Sequence, residues 1–178
     1  NGKSIRTEFQ VTTWKLKKQC LTLLGAHPAS IVHLVEGENY EDYYIEFSEV
    51  ELARYQRCFP DDRIIRFARL GHLFWKIKDS HLDYSLFSHD AITLDQLKSR
   101  SVTLRSKKSG KGLRVDFDDF PNLILWSTTN KSPFIALEPW SGLSTSLEEG
   151  NFLEDKRQVT KISPQETSRK IYDITILN

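Results

Sequence analysis

Ser101-Val102-Thr103-Leu104-Arg105-Ser106-Lys107-Lys108-Ser109-Gly110-Lys111-Gly112-Leu113-Arg114-Val115-Asp116-Phe117 is the stretch that decides the fold class. Its first part sets Val102 and Leu104 between Ser101, Thr103 and Arg105. Its last part sets Leu113, Val115 and Phe117 around Arg114 and Asp116. Successive side chains of an extended chain point to opposite faces, so this period-two alternation marks strands with one buried face. The polar middle, Ser106 to Gly112, contains two glycines able to take positive φ. Together the segments predict a hairpin with a loop longer than two residues.

The same grammar extends on both sides. Asn122-Leu123-Ile124-Leu125-Trp126-Ser127 follows the Phe120-Pro121 break and is apolar at successive positions, as a strand covered on two faces would be. Phe134-Ile135-Ala136-Leu137-Glu138 is another short apolar run, bounded by Pro133 and Pro139. Tyr172, Ile174 and Ile176 alternate with Asp173 and Thr175, which predicts a closing strand. Upstream strands are expected over Glu8 to Trp14, Gln19 to Leu24, Tyr43 to Phe47 and Leu73 to Ile77. Val50 to Arg57 and Asp90 to Leu97 read as short helical turns. Many short strands joined by Gly, Pro, Asn and Asp turns predict an all-β chain, an antiparallel β-sandwich or barrel. A parallel α/β sheet would need crossover helices, for which no segment is long enough. No repeat or linker divides the chain, so 1–178 is expected to be a single β-sandwich domain.

Composition narrows the function classes. The 178 residues carry 25 Lys+Arg and 24 Asp+Glu, a formal net charge of +1. That balance gives no electrostatic case for a nucleic-acid partner, which normally calls for a strongly basic face. No apolar run approaches the ~20 residues of a membrane-spanning helix, so no membrane partner is expected. Cys20 and Cys58 are too few for a disulfide scaffold, and a cytoplasmic location follows as the default. The chain contains no methionine and opens on Asn1, which predicts a processed or partial polypeptide.

Local motifs are sparse. His27, His33, His72, His81 and His89 show no zinc-binding spacing, and the cysteines form no C-x-x-C, so no metal site is expected. Gly2-Lys3-Ser4 and Ser109-Gly110-Lys111-Gly112 imitate phosphate-binding loops but lack the strand-to-helix context, and read as turns. Asn130-Lys131-Ser132 fits a glycosylation acceptor pattern, which matters only in a secreted chain. His27 stands in Leu24-Gly25-Ala26-His27-Pro28, where a strand runs out into a turn. An imidazole at the lip of a sheet is placed to exchange protons near neutral pH, and a backbone-bonded histidine is the plainer alternative. Glu138 ends an apolar strand beside Pro139-Trp140. A carboxylate entering an apolar wall suits a general base, and Trp140 offers a face on which a sugar ring can stack. An edge glutamate facing water is the plainer alternative there. Asp90, in Phe87-Ser88-His89-Asp90-Ala91, reads locally as the cap of a short turn.

Taken in order, these segments resemble one family. Leu24-Gly25-Ala26-His27-Pro28-Ala29 is similar to the Gly-x-His-Pro-Ala-Phe segment of the aldose 1-epimerases, the galactose mutarotase-like proteins, and in particular of their LacX-like branch. Ser30 stands where that segment carries an aromatic residue. Phe87-Ser88-His89-Asp90-Ala91, Leu97-Lys98-Ser99-Arg100-Ser101-Val102-Thr103-Leu104, Phe120-Pro121-Asn122-Leu123-Ile124-Leu125-Trp126-Ser127 and Pro133-Phe134-Ile135-Ala136-Leu137-Glu138-Pro139-Trp140-Ser141-Gly142 follow the same branch in order and spacing.

The resemblance implies a galactose mutarotase-like supersandwich, incomplete on its N-terminal side, of which this chain is the C-terminal portion. It also implies interconversion of the α and β anomers of a free aldohexose. By that resemblance Glu138 is the general base, His27 the general acid, and Asp90 and Trp140 contact the sugar. Paired proton transfers suffice for this reaction, so no cofactor is implied. The family's upstream part supplies a substrate-binding arginine and a second histidine that have no match here. A non-catalytic carbohydrate-binding β-sandwich and an inactive remnant therefore stay open as alternatives.

Overall fold

The computed structural model describes residues 4–12, 21–23, 30–33, 37–53, 55–59, 64–66, 75–88, 90–95, 97–146 and 148–178. Strands occupy Ser4–Thr12 (β1), Leu21–Leu23 (β2), Ser30–His33 (β3), Tyr43–Ala53 (β4), Tyr55–Phe59 (β5), Ile64–Arg66 (β6) and Trp75–His81 (β7). They continue with Ile92–Leu94 (β8), Ser101–Ser106 (β9), Gly112–Asp116 (β10), Asn122–Trp126 (β11), Phe134–Trp140 (β12), Thr160–Ile162 (β13) and Thr167–Leu177 (β14). Three 3-10 turns, Tyr40–Asp42, Tyr84–Phe87 and Leu153–Asp155, are the helical elements among the described residues.

Two six-stranded sheets result, in the orders β1-β14-β10-β9-β4-β7 and β3-β12-β11-β8-β5-β6, with β13 and β2 paired as a small ribbon. The ladders are antiparallel throughout. Ile45, Phe47, Val102, Leu104 and Val115 of the first sheet share one buried cluster with Ile92, Leu94, Leu123, Leu125, Ile135 and Leu137 of the second. This is the expected antiparallel sandwich, with its hydrophobic layer between the sheets.

The predicted hairpin is β9–β10, with Val102 opposite Val115 and Leu104 opposite Leu113. Gly112 opens β10 because the chains come too close for a side chain. A Cβ there would lie 2.0 Å from the Leu104 carbonyl oxygen. The closing strand is longer than Tyr172–Ile176 and joins β10 to β1. β1, β2 and β7 meet the expected upstream strands in part, and Thr13, Trp14, Gln19, Cys20, Leu24, Leu73 and Phe74 lie outside the described residues.

Two expectations need correction. Val50 to Arg57 is not a helical turn. β4 runs on to Ala53 past a register shift between Glu46 and Glu51, and residues 55–57 pair with β8. Asp90 to Leu97 is not helical either, because Ile92-Thr93-Leu94 is a strand held between β11 and β5, all three residues buried. In both places cross-strand ladders take the backbone groups that a helical turn would have used locally.

Candidate functional site

The second sheet has two unlike faces. Ile135 and Leu137 of β12 and Leu123 and Leu125 of β11 enter the inter-sheet core. Alternation turns Phe134, Ala136, Glu138 and Trp140, with Asn122, Ile124 and Trp126, to the opposite face. The register sets Trp126 beside Ala136, Ile124 beside Glu138, and Asn122 beside Trp140. Ile124, Ala136 and Thr93 are buried on this face and form an apolar floor, while Glu138, Trp126 and Trp140 are half-buried around it.

Both expected carboxylates on this side are held by indoles. Trp140 Nε1 donates to Glu138 Oε2 at 3.0 Å. Trp126 Nε1 donates to Asp90 Oδ1 at 3.0 Å, and the Trp126 ring tilts against Phe134 at 5.6 Å between centroids. Trp126 faces Ala136, two residues from Glu138 and about 6.6 Å along the strand. Two carboxylate–tryptophan pairs thus lie on neighbouring rows of one sheet face. Their tryptophans offer flat apolar surface and their carboxylates offer acceptors, the mixture a ring of hydroxyls demands.

Asp90 does not cap the adjoining turn. Asp83 does, accepting from Ser85 N at 2.6 Å, and the Ser85 hydrogen bonds hold the Asp83 carboxyl below its ordinary pKa. Asp90 instead adopts φ 71°, the left-handed region, as its amide donates to the Phe87 carbonyl at 3.0 Å. Aspartate tolerates that conformation better than most residues, and the geometry frees its carboxyl for the indole. The sequence alone gives Trp126 a place in a strand and no role. Its signal lay in parity, because residues 122, 124 and 126 share a face only once the strand register is known.

His27 lies outside the described residues, so its relation to Glu138 has no geometry here. Among the described residues, no three His, Cys, Asp or Glu side chains gather as metal ligands would. No helix among them is long and apolar enough to cross a membrane. Of the turn-like motifs, Gly2 and Lys3 are not described. The hairpin loop is closed on itself: the amides of Lys108 and Ser109 reach Ser106 Oγ, that of Gly110 the Ser106 carbonyl, and that of Lys111 Ser109 Oγ. With the Lys107 amide donating to the Asp42 carbonyl, no ring of free N–H groups remains to cradle a phosphate. Asn130 Oδ1 accepts from the Ser132 amide and hydroxyl at 3.2 and 2.8 Å, a side-chain turn. A groove of about 510 Å³ lies on the other sheet, lined by Tyr44, Glu46, His81, Arg105, Ser106, Lys107 and Gly110. It contains none of the expected site residues.

Comparison with known proteins bears on the fold that carries this geometry. Two LacX proteins of Lactococcus lactis subsp. lactis, one plasmid-borne and one chromosomal, are 69% and 68% identical to the chain over all 178 residues. The chain is similar in sequence to the LacX proteins and shares the galactose mutarotase-like fold. The chain spans 60% of the length of those LacX relatives. Among solved structures, a galactose mutarotase related enzyme from Lactobacillus acidophilus superposes with a TM-score of 0.78 at 20% identity, covering 98% of the chain and 58% of that protein. A galactose mutarotase-like protein from Lactobacillus casei gives 0.72 at 23% identity, covering 97% and 58%. At those identities the likeness is one of fold. No family model matches the chain.

Proposed function

We propose that the chain carries the proton-transfer face of an aldose 1-epimerase-like isomerase that interconverts the α and β anomers of a free aldohexose. The observation that carries the reading is Glu138, half-buried on the sheet face away from the core and oriented by the Trp140 indole. In this reading Glu138 takes the proton of the anomeric hydroxyl as the C1–O5 bond breaks. His27 gives its proton to the departing ring oxygen. The open aldehyde turns about C1–C2, and closure on its other face returns both protons. Atoms and charge balance without metal, cofactor or redox partner, and two positioned proton carriers suffice. Trp140 and Asp90 contact the sugar, with Trp126 holding Asp90 in place. The setting is cytoplasmic, and the partners are small sugars rather than nucleic acids or membranes.

Anomer exchange on freshly dissolved α-D-glucose and α-D-galactose, followed by NMR against buffer, tests the reading. Acceleration by the chain is expected, falling ~10²–10⁴-fold in Glu138→Gln while the circular dichroism spectrum is retained. Equal rates in wild type and variant overturn the role given to Glu138. Sugar binding without exchange supports the carbohydrate-binding module instead.

A further inference from the structure

Asn122 is fully buried at the start of β11, on the face that carries Glu138 and Trp140. Its Nδ2 lies 3.3 Å from the Trp140 carbonyl and 3.0 Å from the Gly142 carbonyl. The same nitrogen reaches Gln158 Oε1 at 2.5 Å. These contacts fix which way the amide points, because backbone carbonyls can only accept. Asn122 Oδ1, on the other side, is buried with no hydrogen-bond partner among the described residues. An orphaned acceptor costs about 1–3 kcal/mol, and a residue kept there despite it implies that its donors do the necessary job.

Gln158 is brought in from far along the chain and from an unusual backbone. It adopts φ 55°, again in the left-handed region, at the end of the loop that leaves β12. Its neighbour Arg157 is anchored within that loop, its guanidinium bonded to Glu149 Oε1 and to the Ser144 carbonyl. The loop therefore presents the Gln158 side chain from a braced position. Gln158 meets Asn122, and it is Asn122 that grips Trp140 to Gly142, the continuation of the strand bearing Glu138.

We infer that the Asn122–Gln158 pair is a clasp that positions the Glu138–Trp140 arm. Neither residue touches the sugar. Both are positioning residues, acting through the Trp140 backbone and hence through the indole that orients the Glu138 carboxylate. The catalytic part of the inference rests on the isomerase reading, and its structural part does not. The chemistry required of Gln158 is that of an acceptor, which separates it from a residue that only fills space.

The test compares Gln158→Leu, which keeps bulk without an acceptor, with Gln158→Glu, which keeps one. The readout is the Trp140 indole N–H resonance in ¹H–¹⁵N spectra of the labelled chain, assigned with Trp140→Phe. The Trp126 indole, bonded to Asp90 instead, is the internal control. The expected result is a Trp140 resonance that moves in Gln158→Leu, stays in Gln158→Glu, and a Trp126 resonance unmoved in both. In the exchange assay Gln158→Leu lowers kcat roughly tenfold at unchanged KM, since misplacement by ~1 Å costs up to ~10²-fold. A folded Gln158→Leu with an unmoved Trp140 resonance overturns the clasp. So does movement that is equal in both variants, or that includes Trp126. If wild type shows no exchange, the spectra still decide the clasp, and the isomerase reading alone fails.

Discussion

Tyr40 shows how a single group can set the alkaline limit of this protein. It is 2% exposed and stacks on Tyr84 at 4.0 Å between ring centroids. Burial pushes its phenol up to about 12 from an ordinary 10.0, and burial raises Tyr84 as well. A folded-state pKa above the unfolded one means the stabilisation is complete below pH 10 and is lost between pH 10 and about 12. A shift of that size corresponds to about 2–3 kcal/mol. Tyr40→Phe should therefore remove most of the fall in urea midpoint between pH 7 and the alkaline side. At pH 7 its midpoint should lie close to the wild-type value, because the deleted hydroxyl's side-chain contact is to Ser127 alone. A midpoint that falls equally in both proteins would contradict this account.

At the scale of elements, β4 depends on a carboxyl group inside the protein. Past its register shift the strand places Glu51 at 1% exposure, where its carboxylate accepts the amides of Lys98, at 3.1 Å, and of Ser99. Ser99 answers by accepting the Glu49 amide through its hydroxyl at 3.0 Å. The bulge and the loop before β9 are thus tied to one another, and that loop sets where the central hairpin begins. Glu51→Ala leaves the buried Ser99 N–H and the part-buried Lys98 N–H without their acceptor, so a loss of about 1–3 kcal/mol is expected, read as a lower urea midpoint. Glu51→Gln keeps one acceptor and should lose about half as much. Equal midpoints for wild type and Glu51→Ala would show that the loop is held by other means.

Across the whole molecule, legibility followed burial pattern. The hairpin from Ser101 to Phe117 was readable because one face of each strand is wet, so alternation survives in the sequence. β12 was readable as an apolar run, and the resemblance attached a role to its Glu138. β8 was not readable: three buried residues between two other strands leave no periodicity, and the pairing that defines them is distant in sequence. β4 was cut short because the bulge breaks its alternation at the point where a charged residue turns inward. The pairing of each carboxylate with a tryptophan was hidden for a third reason. It depends on which residues of β11 lie beside which of β12, and register is a property of two strands together.

The place where a sugar binds decides the function of this sheet face most directly. Titrating D-galactose and D-glucose into the ¹⁵N-labelled chain, with the Trp126 and Trp140 indoles assigned, locates that place. Both indole resonances are expected to move saturably with sugar, while groove residues Tyr44 and Lys107 stay still. Sugar-dependent shifts confined to that groove, or none at either indole in a folded chain, would contradict that expectation.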